Sequence, residues 1–134
     1  MSSLARRSAG GLVVLAMAVG AGTLAPGAAA ATTLPSVTVS PLHGTPDASP
    51  STQISFLGVP ASHLHGIVVD GSSSGVHSGR IGYYSTHTGG SFLPTHPFTP
   101  GEHVTVSATV VGYGAPIKVA TTFDVSDPFV LPAG

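Results

Sequence analysis

Two stretches near the C-terminal end of the chain alternate strictly between apolar and polar positions. In residues 102–111, Val104, Val106, Ala108 and Val110 lie two apart, with Thr or Ser between them. Residues 117–125 repeat the alternation, with isoleucine, valine, threonine, phenylalanine and valine at the odd positions. A period of two predicts strands with one buried face and one wet face. The Gly- and Pro-containing residues 112–116 between them are typical of a hairpin loop, so we predict a β-hairpin.

Shorter alternating runs precede the hairpin. The sequence predicts strands at residues 36–40, 52–57, 66–70 and 80–85, and a short edge strand at residues 91–94. In residues 80–85 the inward residues are either Ile81 and Tyr83 or, if the register slips by one, Gly82 and Tyr84. Long loops are expected at residues 41–47 and 70–75.

No window of the mature chain keeps a helical period, and about seven short strands in about 100 residues predict an all-β, two-sheet sandwich. A Thr99-Pro100-Gly101-Glu102 turn has the composition of a type II turn and leads into the penultimate strand. The predicted core consists of the inward apolar residues of these strands: Val37, Val39, Ile54, Phe56, Ile67, Val69, Val104, Val106, Val110, Val119, Phe123 and Val125.

The first 31 residues have the layout of a secretory signal peptide. Arg6 and Arg7 precede an apolar run over residues 10–25, which is followed by a Pro-Gly break and the small residues Ala28 to Ala31. The run is shorter than a membrane span and ends in a cleavage-like site, so we predict export and cleavage near Ala31 or Thr32. The paired arginines leave both Sec and twin-arginine export open. The predicted organisation is a leader at 1–31, one domain at 32–125 and a tail or linker at 126–134.

Composition narrows the possible functions. Without the leader, Arg80 and Lys118 are the only lysine or arginine residues, against five acidic residues. So few cations argue against nucleic-acid binding and against a polybasic membrane patch. The chain has no cysteine, which excludes disulfides, thiol nucleophiles and thiolate metal sites.

Several motifs resemble bacterial Ig-like domains of the S-layer (SbsA-like) type. They are Ser40-Pro41 followed by Gly44, the run Thr52-Gln53-Ile54-Ser55-Phe56, and Phe98-Thr99-Pro100-Gly101-Glu102 before Val104-Thr105-Val106. The resemblance covers about residues 37–125 and implies an Ig-like antiparallel β-sandwich. Its motifs are turns and core positions, so they bear on fold more than on function.

A narrower resemblance is carried by Thr38-Val39-Ser40-Pro41 through Gly58-Val59-Pro60 and by Ser91-Phe92-Leu93-Pro94. This pattern is similar to the N-terminal β-domain of secreted actinobacterial arylsulfotransferase-like proteins, in which a β-propeller follows. The sulfotransfer site of that family belongs to the propeller, and the 134 residues contain no internal repeat of propeller type. No catalytic residue is therefore carried over to this chain.

Histidines supply one candidate for metal chemistry. His63 and His65 would share a face if they lay on a strand, and two imidazoles so placed can bind zinc or copper. A third ligand is needed, and no spacing selects one of the other five histidines. We therefore assign these histidines to polar surface loops and predict neither a metal site nor a cofactor.

Two further patterns suggest catalysis only formally. Gly71-Ser72-Ser73-Ser74-Gly75 matches G-x-S-x-G, with Asp70 and His77 nearby, but no helix is predicted after it, as a nucleophile elbow requires. Asp124 and Asp127 could pair as acid and base, although carboxylates at a strand end more commonly keep an edge soluble. We predict no catalytic residue.

The tyrosines offer a possible binding face. Tyr83, Tyr84 and Tyr113 could stack on a sugar or peptide, and one of the adjacent pair should face the core. The sequence thus predicts an exported, non-catalytic Ig-like module with a structural or interaction role. Its partner would be a cell-surface component, a protein or a following domain. The alternatives are the front domain of an arylsulfotransferase-like enzyme and a metal-binding exported domain.

Overall fold

The computed structural model describes Gly22 and residues 33–134. The predicted leader, residues 1–31, lies outside the described residues apart from Gly22. Nine strands and one 3-10 helix (Ala61–His63) are present in residues 33–134. The strands are β1 (Thr38–Ser40), β2 (Thr45–Ala48), β3 (Ile54–Leu57), β4 (Leu64–Gly71), β5 (Gly75–Val76), β6 (Gly79–Tyr83), β7 (Gly89–Pro94), β8 (His103–Val110) and β9 (Ile117–Val125).

The strands form two sheets that enclose one apolar core. The first sheet has the order β1-β3-β7-β6 and the second the order β2-β9-β8-β4-β5. All pairings are antiparallel except that of β2 with β9. Lettered in chain order, with β2 as an offshoot of the first strand, the sheets read A-B-E-D and A′-G-F-C-C′, which is the immunoglobulin arrangement. The prediction of an all-β sandwich is confirmed.

The β8–β9 hairpin lies where the alternation predicts it. Its register pairs His103 with Asp124 and Val110 with Ile117 without a break. The inward residues Val104, Val106 and Phe123 are completely buried, and the intervening Thr and Ser residues face outward. A regular period of two was sufficient to locate both strands, because one face of this hairpin is covered along almost its whole length.

Most of the predicted core is confirmed. The buried members are Val39, Ile54, Phe56, Val69, Val104, Val106, Val110, Phe123 and Val125. Val37, Ile67 and Val119 are only partly buried and pack against the cluster from its margin. The structure adds Val59 and Phe98, which lie outside the predicted strands, and Phe92, which lies within the predicted strand at residues 91–94.

The prediction of an edge strand at residues 91–94 is wrong. The observed strand β7 begins at Gly89 and lies between β3 and β6, in the interior of the first sheet. Phe92 pairs with Ile54 on one side and Ile81 on the other, and its side chain is in the core. The prediction missed the first two residues of this strand, Gly89 and Gly90, because glycine has low strand propensity. A Cβ at Gly90 would lie 2.6 Å from the Cβ of Ala61, so close packing explains the glycine.

The strand count exceeds the predicted seven because two predicted loops contain short strands. Residues 41–47 include the start of β2, and residues 70–75 include the turn into β5. The chain crosses from the first sheet to the second after Ser40-Pro41, whose peptide bond is cis. Neither short strand alternates, since Pro46 interrupts β2 and β5 has two residues.

The register of β6 is the first of the two alternatives. Ile81 pairs with Phe92 and packs against the core, while Gly82 pairs with Ser91 on the outer face. The expectation that one of the adjacent tyrosines faces the core is wrong. Tyr83 is 73% exposed at the end of this edge strand, and Tyr84 follows the strand as a partly buried residue outside the apolar core.

Candidate functional site

A buried carboxylate holds together the loops at one end of the sandwich. Glu102 stands at the end of the predicted turn and is only 3% exposed. Its Oε2 accepts hydrogen bonds from the backbone N–H groups of Ser73 and Ser74, both at 2.9 Å. Its Oε1 accepts from the Ser74 hydroxyl at 2.6 Å and from the Thr99 N–H at 2.7 Å. The carboxylate thereby joins the β4–β5 turn to the turn before β8.

The surroundings of Glu102 favour its charged form. Burial is the largest single effect and raises the pKa, but the hydrogen bonds from the Ser74 hydroxyl and from the N–H groups of Ser74, Ser73 and Thr99 oppose it. Together these four donors outweigh burial, so the pKa of Glu102 lies below its usual value. An ionised buried carboxylate with four donors is a fully satisfied structural group.

The order of hydrogen bonds around Ser74 shows what this cluster can do chemically. Ser74 Oγ lies 2.6 Å from His77 Nε2 and also donates its proton to Glu102. A hydroxyl has one proton, so His77 Nε2 must carry a hydrogen and donate to Ser74. A serine nucleophile needs the reverse order, in which histidine accepts the serine proton and the carboxylate orients the histidine. In the observed arrangement the Ser74 hydroxyl instead donates to Glu102 and lies within hydrogen-bond distance of His77.

The G-x-S-x-G match is a tight turn between two strands. Gly71 ends β4, Gly75 begins β5 with a positive φ of 76°, and no helix follows. Asp70 is exposed on β4, opposite Thr105 and Val76. Residues 64–83 therefore form strands joined by turns, and the turn at residues 72–74 leads into a strand rather than a helix.

His77 and His96 line a shallow depression beside this cluster. The depression measures about 150 Å³ and includes Ser74 and Pro97. A second hollow of about 240 Å³ shares His96 and Pro97 and extends to Pro50. The His77 ring packs on Phe98 with 4.5 Å between centroids, so the imidazole is held against the core. Both hollows are open and small for a ligand pocket.

The opposite pair of loops, β3–β4 and β8–β9, meets through His63. His63 Nδ1 lies 3.0 Å from the carbonyl oxygen of Val111. Because a carbonyl oxygen only accepts, Nδ1 is the donor. In return, the Val111 N–H donates to the His63 carbonyl oxygen at 3.0 Å. The His63 ring packs on Tyr113 with a centroid distance of 5.2 Å. Gly112, with a φ of 91°, permits this approach, since a Cβ there would lie 2.8 Å from His63 Nδ1.

The two histidines of the candidate metal pair have different surroundings. His63 ends the 3-10 helix rather than lying on a strand, and its Nδ1 is used by the Val111 carbonyl. His65 is exposed on β4, opposite Thr109. Within the described part of the chain, no group of three or more histidine, aspartate or glutamate side chains is arranged to hold a metal ion.

Tyr84 forms a hydroxyl cluster on the outer face of the first sheet. Its phenolic oxygen lies 3.0 Å from Ser55 Oγ and 2.6 Å from Ser91 Oγ, and the two serines are 3.0 Å apart. The bond with Ser55, followed by that with Ser91, lowers the pKa of Tyr84 against a smaller opposing effect of burial. The three tyrosines thus have three different environments: Tyr83 is exposed, Tyr84 covers serines and Tyr113 packs on His63.

Asp124 and Asp127 do not act on a common group. Asp124 pairs with His103 at 2.6 Å on the exposed face of β9. The prediction that Asp124 lies at the edge of a sheet is wrong. At this residue β9 lies between β2 and β8. Asp127 lies next to Gly101, where a Cβ would meet its carboxylate at 2.5 Å.

The strands define a β-sandwich of immunoglobulin strand order, in which the buried carboxylate of Glu102 links two turns at one end. The sequence matches no known family model, and a search of curated proteins gives no match. Among the described residues, no helix is long and apolar enough to span a membrane.

Sequence reasoning missed Glu102 as an organising residue. Two sequence features were available as signals. One is a carboxylate directly after Pro100-Gly101, and the other is the serine-rich turn at residues 72–74. Nothing in the sequence brings residues 73 and 102 together, since their contact depends on the pairing of β4 with β8.

Proposed function

We propose that this chain is an exported, non-catalytic Ig-like β-sandwich module with a structural or interaction role. The observation that supports the proposal is the hydrogen-bond order at Ser74, whose hydroxyl proton goes to a buried carboxylate. The group that most resembles a catalytic triad is thereby committed to holding loops together. The partner would be a cell-surface component, another protein or a following domain.

The surface proposed for this interaction is the loop pair around His63 and Tyr113. The two loops are joined by reciprocal hydrogen bonds between His63 and Val111, so they present a fixed shape. Tyr113 adds an aromatic ring with a polar tip, which is a common contact residue in loop-based binding sites. A preformed loop surface loses little conformational entropy when it binds.

The absence of catalysis can be tested with chromogenic substrates. We expect the purified protein to hydrolyse p-nitrophenyl acetate and p-nitrophenyl sulfate no faster than buffer, because Ser74 cannot pass its proton to His77. Ser74→Ala and His77→Ala should behave identically to the parent. Hydrolysis by the parent that either substitution abolishes would overturn the non-catalytic proposal.

The interaction role can be tested by cosedimentation with intact bacterial cells and with isolated cell walls. We expect Tyr113→Ser to reduce the bound fraction at least about fivefold, while Tyr83→Ser leaves it unchanged. The two substitutions remove the same group, and Tyr83 is even more exposed. Equal effects of the two, or no binding by the parent, would contradict the proposed surface.

Export is tested by mass spectrometry of the secreted protein. We expect a form that starts near Ala31 or Thr32. An intact Met1 in the secreted pool would contradict cleavage.

The arylsulfotransferase-like alternative rests on the motifs from Thr38 to Pro60. It predicts several hundred further residues with repeated β-blades downstream in the coding sequence. A stop codon directly after Gly134 would contradict this alternative and leave the module proposal in place.

A further inference from the structure

Two histidines come opposite each other where β6 begins and β7 ends. These strands pair in an unbroken antiparallel register. The Thr95 N–H donates to the Ser78 carbonyl oxygen at 2.9 Å, so the same register continues one residue beyond both strands. The next residues, His77 and His96, are therefore opposite each other, and both line the hollow of about 150 Å³ described above.

The two imidazoles also lie on the same face. Ile81 and Phe92 are opposite each other within the strands and pack in the core. His77 and His96 are an even number of residues from them, so their side chains take the same side as this core pair. Because the preceding pair is hydrogen-bonded, the histidines hold the closer type of cross-strand position, in which Cα atoms of a regular ladder are about 4.5 Å apart. Side chains so placed interact directly.

The hydrogen bonds of His77 determine which of its nitrogens is free. Nε2 donates to Ser74, whose own proton goes to Glu102, so the lone pair of a neutral His77 is on Nδ1. Within the described residues Nδ1 has no hydrogen-bond partner, and no buried side-chain nitrogen or oxygen there lacks one. Solvent therefore reaches Nδ1. The ring packs on Phe98, which holds this nitrogen in place.

The hydrogen bonds from His77 through Ser74 to Glu102 are the kind of support that metal-binding histidines have. A histidine that ligates a metal commonly donates its other N–H to an acceptor, which fixes the tautomer and makes the ligating nitrogen more basic. Here the Ser74 hydroxyl links the imidazole to a buried carboxylate. His96 is exposed and makes no side-chain hydrogen bond among the described residues, so it is free to turn towards an ion.

The ligand types select the class of ion. Imidazole nitrogens suit Zn²⁺, Ni²⁺ and Cu²⁺, and Cu²⁺ binds most tightly of the three. Among residues 33–134 no third histidine or carboxylate joins this pair in an arrangement that could hold a metal. Water would therefore complete the coordination. A hollow that is small for an organic ligand is large enough for one hydrated ion.

We propose that His77 Nδ1 and the imidazole of His96 bind one divalent late transition-metal ion, with Cu²⁺ preferred. Ser74 is a positioning residue that acts through His77. The site lies at the end of the sandwich opposite the loop pair around His63 and Tyr113. The inference uses neither that surface nor the export of the protein, and it stands or fails separately from them.

Calorimetric titration of the purified protein, without a histidine tag, with CuCl₂ near neutral pH tests the site. We expect one tightly bound ion per molecule. His77→Gln and His96→Gln should each weaken its binding at least about tenfold, because each removes one of two ligands. His65→Gln is the matched control, since it removes another exposed imidazole outside the hollow, and it should change the affinity less than about twofold.

His96 is exposed, so its substitution does not put folding at risk, and circular dichroism checks the fold of His77→Gln. No tight binding by the parent, or an affinity that is unchanged in His96→Gln, would overturn the proposal. In the second case any copper would be adventitious. Electron paramagnetic resonance of the copper complex should show coupling to two nitrogens in the parent and to one in His96→Gln.

The positioning role of Ser74 has a separate test. Ser74→Ala should weaken copper binding about tenfold, as changes to residues that support a metal ligand commonly do. Long-range ¹H–¹⁵N correlation spectra of the metal-free protein should show the Nε2–H tautomer of His77 in the parent and a mixture of tautomers in Ser74→Ala. A parent with the proton on Nδ1 would overturn the proposed ligand atom. An unchanged tautomer and affinity in Ser74→Ala would overturn the role of Ser74.

Discussion

Glu102 is the residue on which the loops at one end of the sandwich depend. Four donors from two separate turns converge on its two oxygens. Because the donors are mostly backbone N–H groups, they cannot rotate to find other partners if the carboxylate is removed. An unsatisfied buried donor carries its full desolvation cost.

Glu102→Gln should lower the free energy of unfolding by about 3 kcal/mol. Glutamine keeps one acceptor oxygen, so one pair of donors would face an amide NH₂. The measurement is urea denaturation at neutral pH. Asp124→Asn is the matched control, since it removes a carboxylate from an exposed pair and should cost less than about 1 kcal/mol. Equal losses in the two variants would refute the structural role of Glu102.

Gly112 is required for the contact between His63 and the β8–β9 loop. Gly112→Ala and Gly114→Ala both place a side chain at a positive φ, 91° and 93°, which costs about 1–2 kcal/mol each. Only the first brings a Cβ within 2.8 Å of His63, whereas nothing lies within 4 Å of the second. We therefore expect Gly112→Ala to have the lower melting temperature. Indistinguishable melting curves would mean that His63 adapts freely.

At the scale of elements, regular alternation located the two strands that form one continuous ladder. β8 and β9 were predicted correctly because nearly all their inward residues are apolar and nearly all their outward residues are polar. β7 was predicted at an edge because Pro94 has no N–H to donate, but Pro94 is the last residue of the strand and lies beyond the part that pairs with β3. The outward Ser91 also gave no local sign of burial. Ser91 is buried because it lies within hydrogen-bond distance of Tyr84, a relation between two strands that no local pattern encodes.

Two phenylalanines near the end of β9 should differ greatly in their contribution to the free energy of unfolding. Phe123 is fully buried and meets Phe98 edge to face at 5.9 Å, while Phe129 lies in the exposed tail. Phe123→Ala should cost about 3–5 kcal/mol, enough to unfold many domains of this size. Phe129→Ala should change stability by less than about 0.5 kcal/mol. Both values come from urea denaturation at micromolar concentration, and similar losses would contradict the observed register.

At the scale of the whole molecule, stability in acid should depend on Glu102. Its folded-state pKa lies below the ordinary value of 4.5, so the ionised form is favoured by folding. The corresponding stability is fully present above about pH 5 and is lost as the pH falls through 4.5 towards the lower folded-state pKa.

The free energy of unfolding should therefore decrease from about pH 5 to pH 3 in the parent, and less steeply in Glu102→Gln. Urea denaturation across this range gives both slopes. Parallel curves for the two proteins would show that other carboxylates account for the acid sensitivity.

The fold class, the β8–β9 hairpin and most of the core could be predicted from the amino-acid sequence alone. All three follow from the two-residue alternation of apolar and polar side chains, because each strand must bury its apolar face. It also gave the correct interpretation of the G-x-S-x-G turn, because the absence of a following helix is a local property.

Three features could not be predicted without the assembled sheets: which strands are interior, why Glu102 is buried, and which part of β9 has no neighbouring strand among the described residues. Each of these depends on residues far apart in sequence. Ser73 meets Glu102 through the pairing of β4 with β8, and β2 covers only part of β9 because the chain crosses between sheets. A sequence pattern indicates which side chains must be buried. Which other residues cover those side chains is determined only when the two sheets pack together.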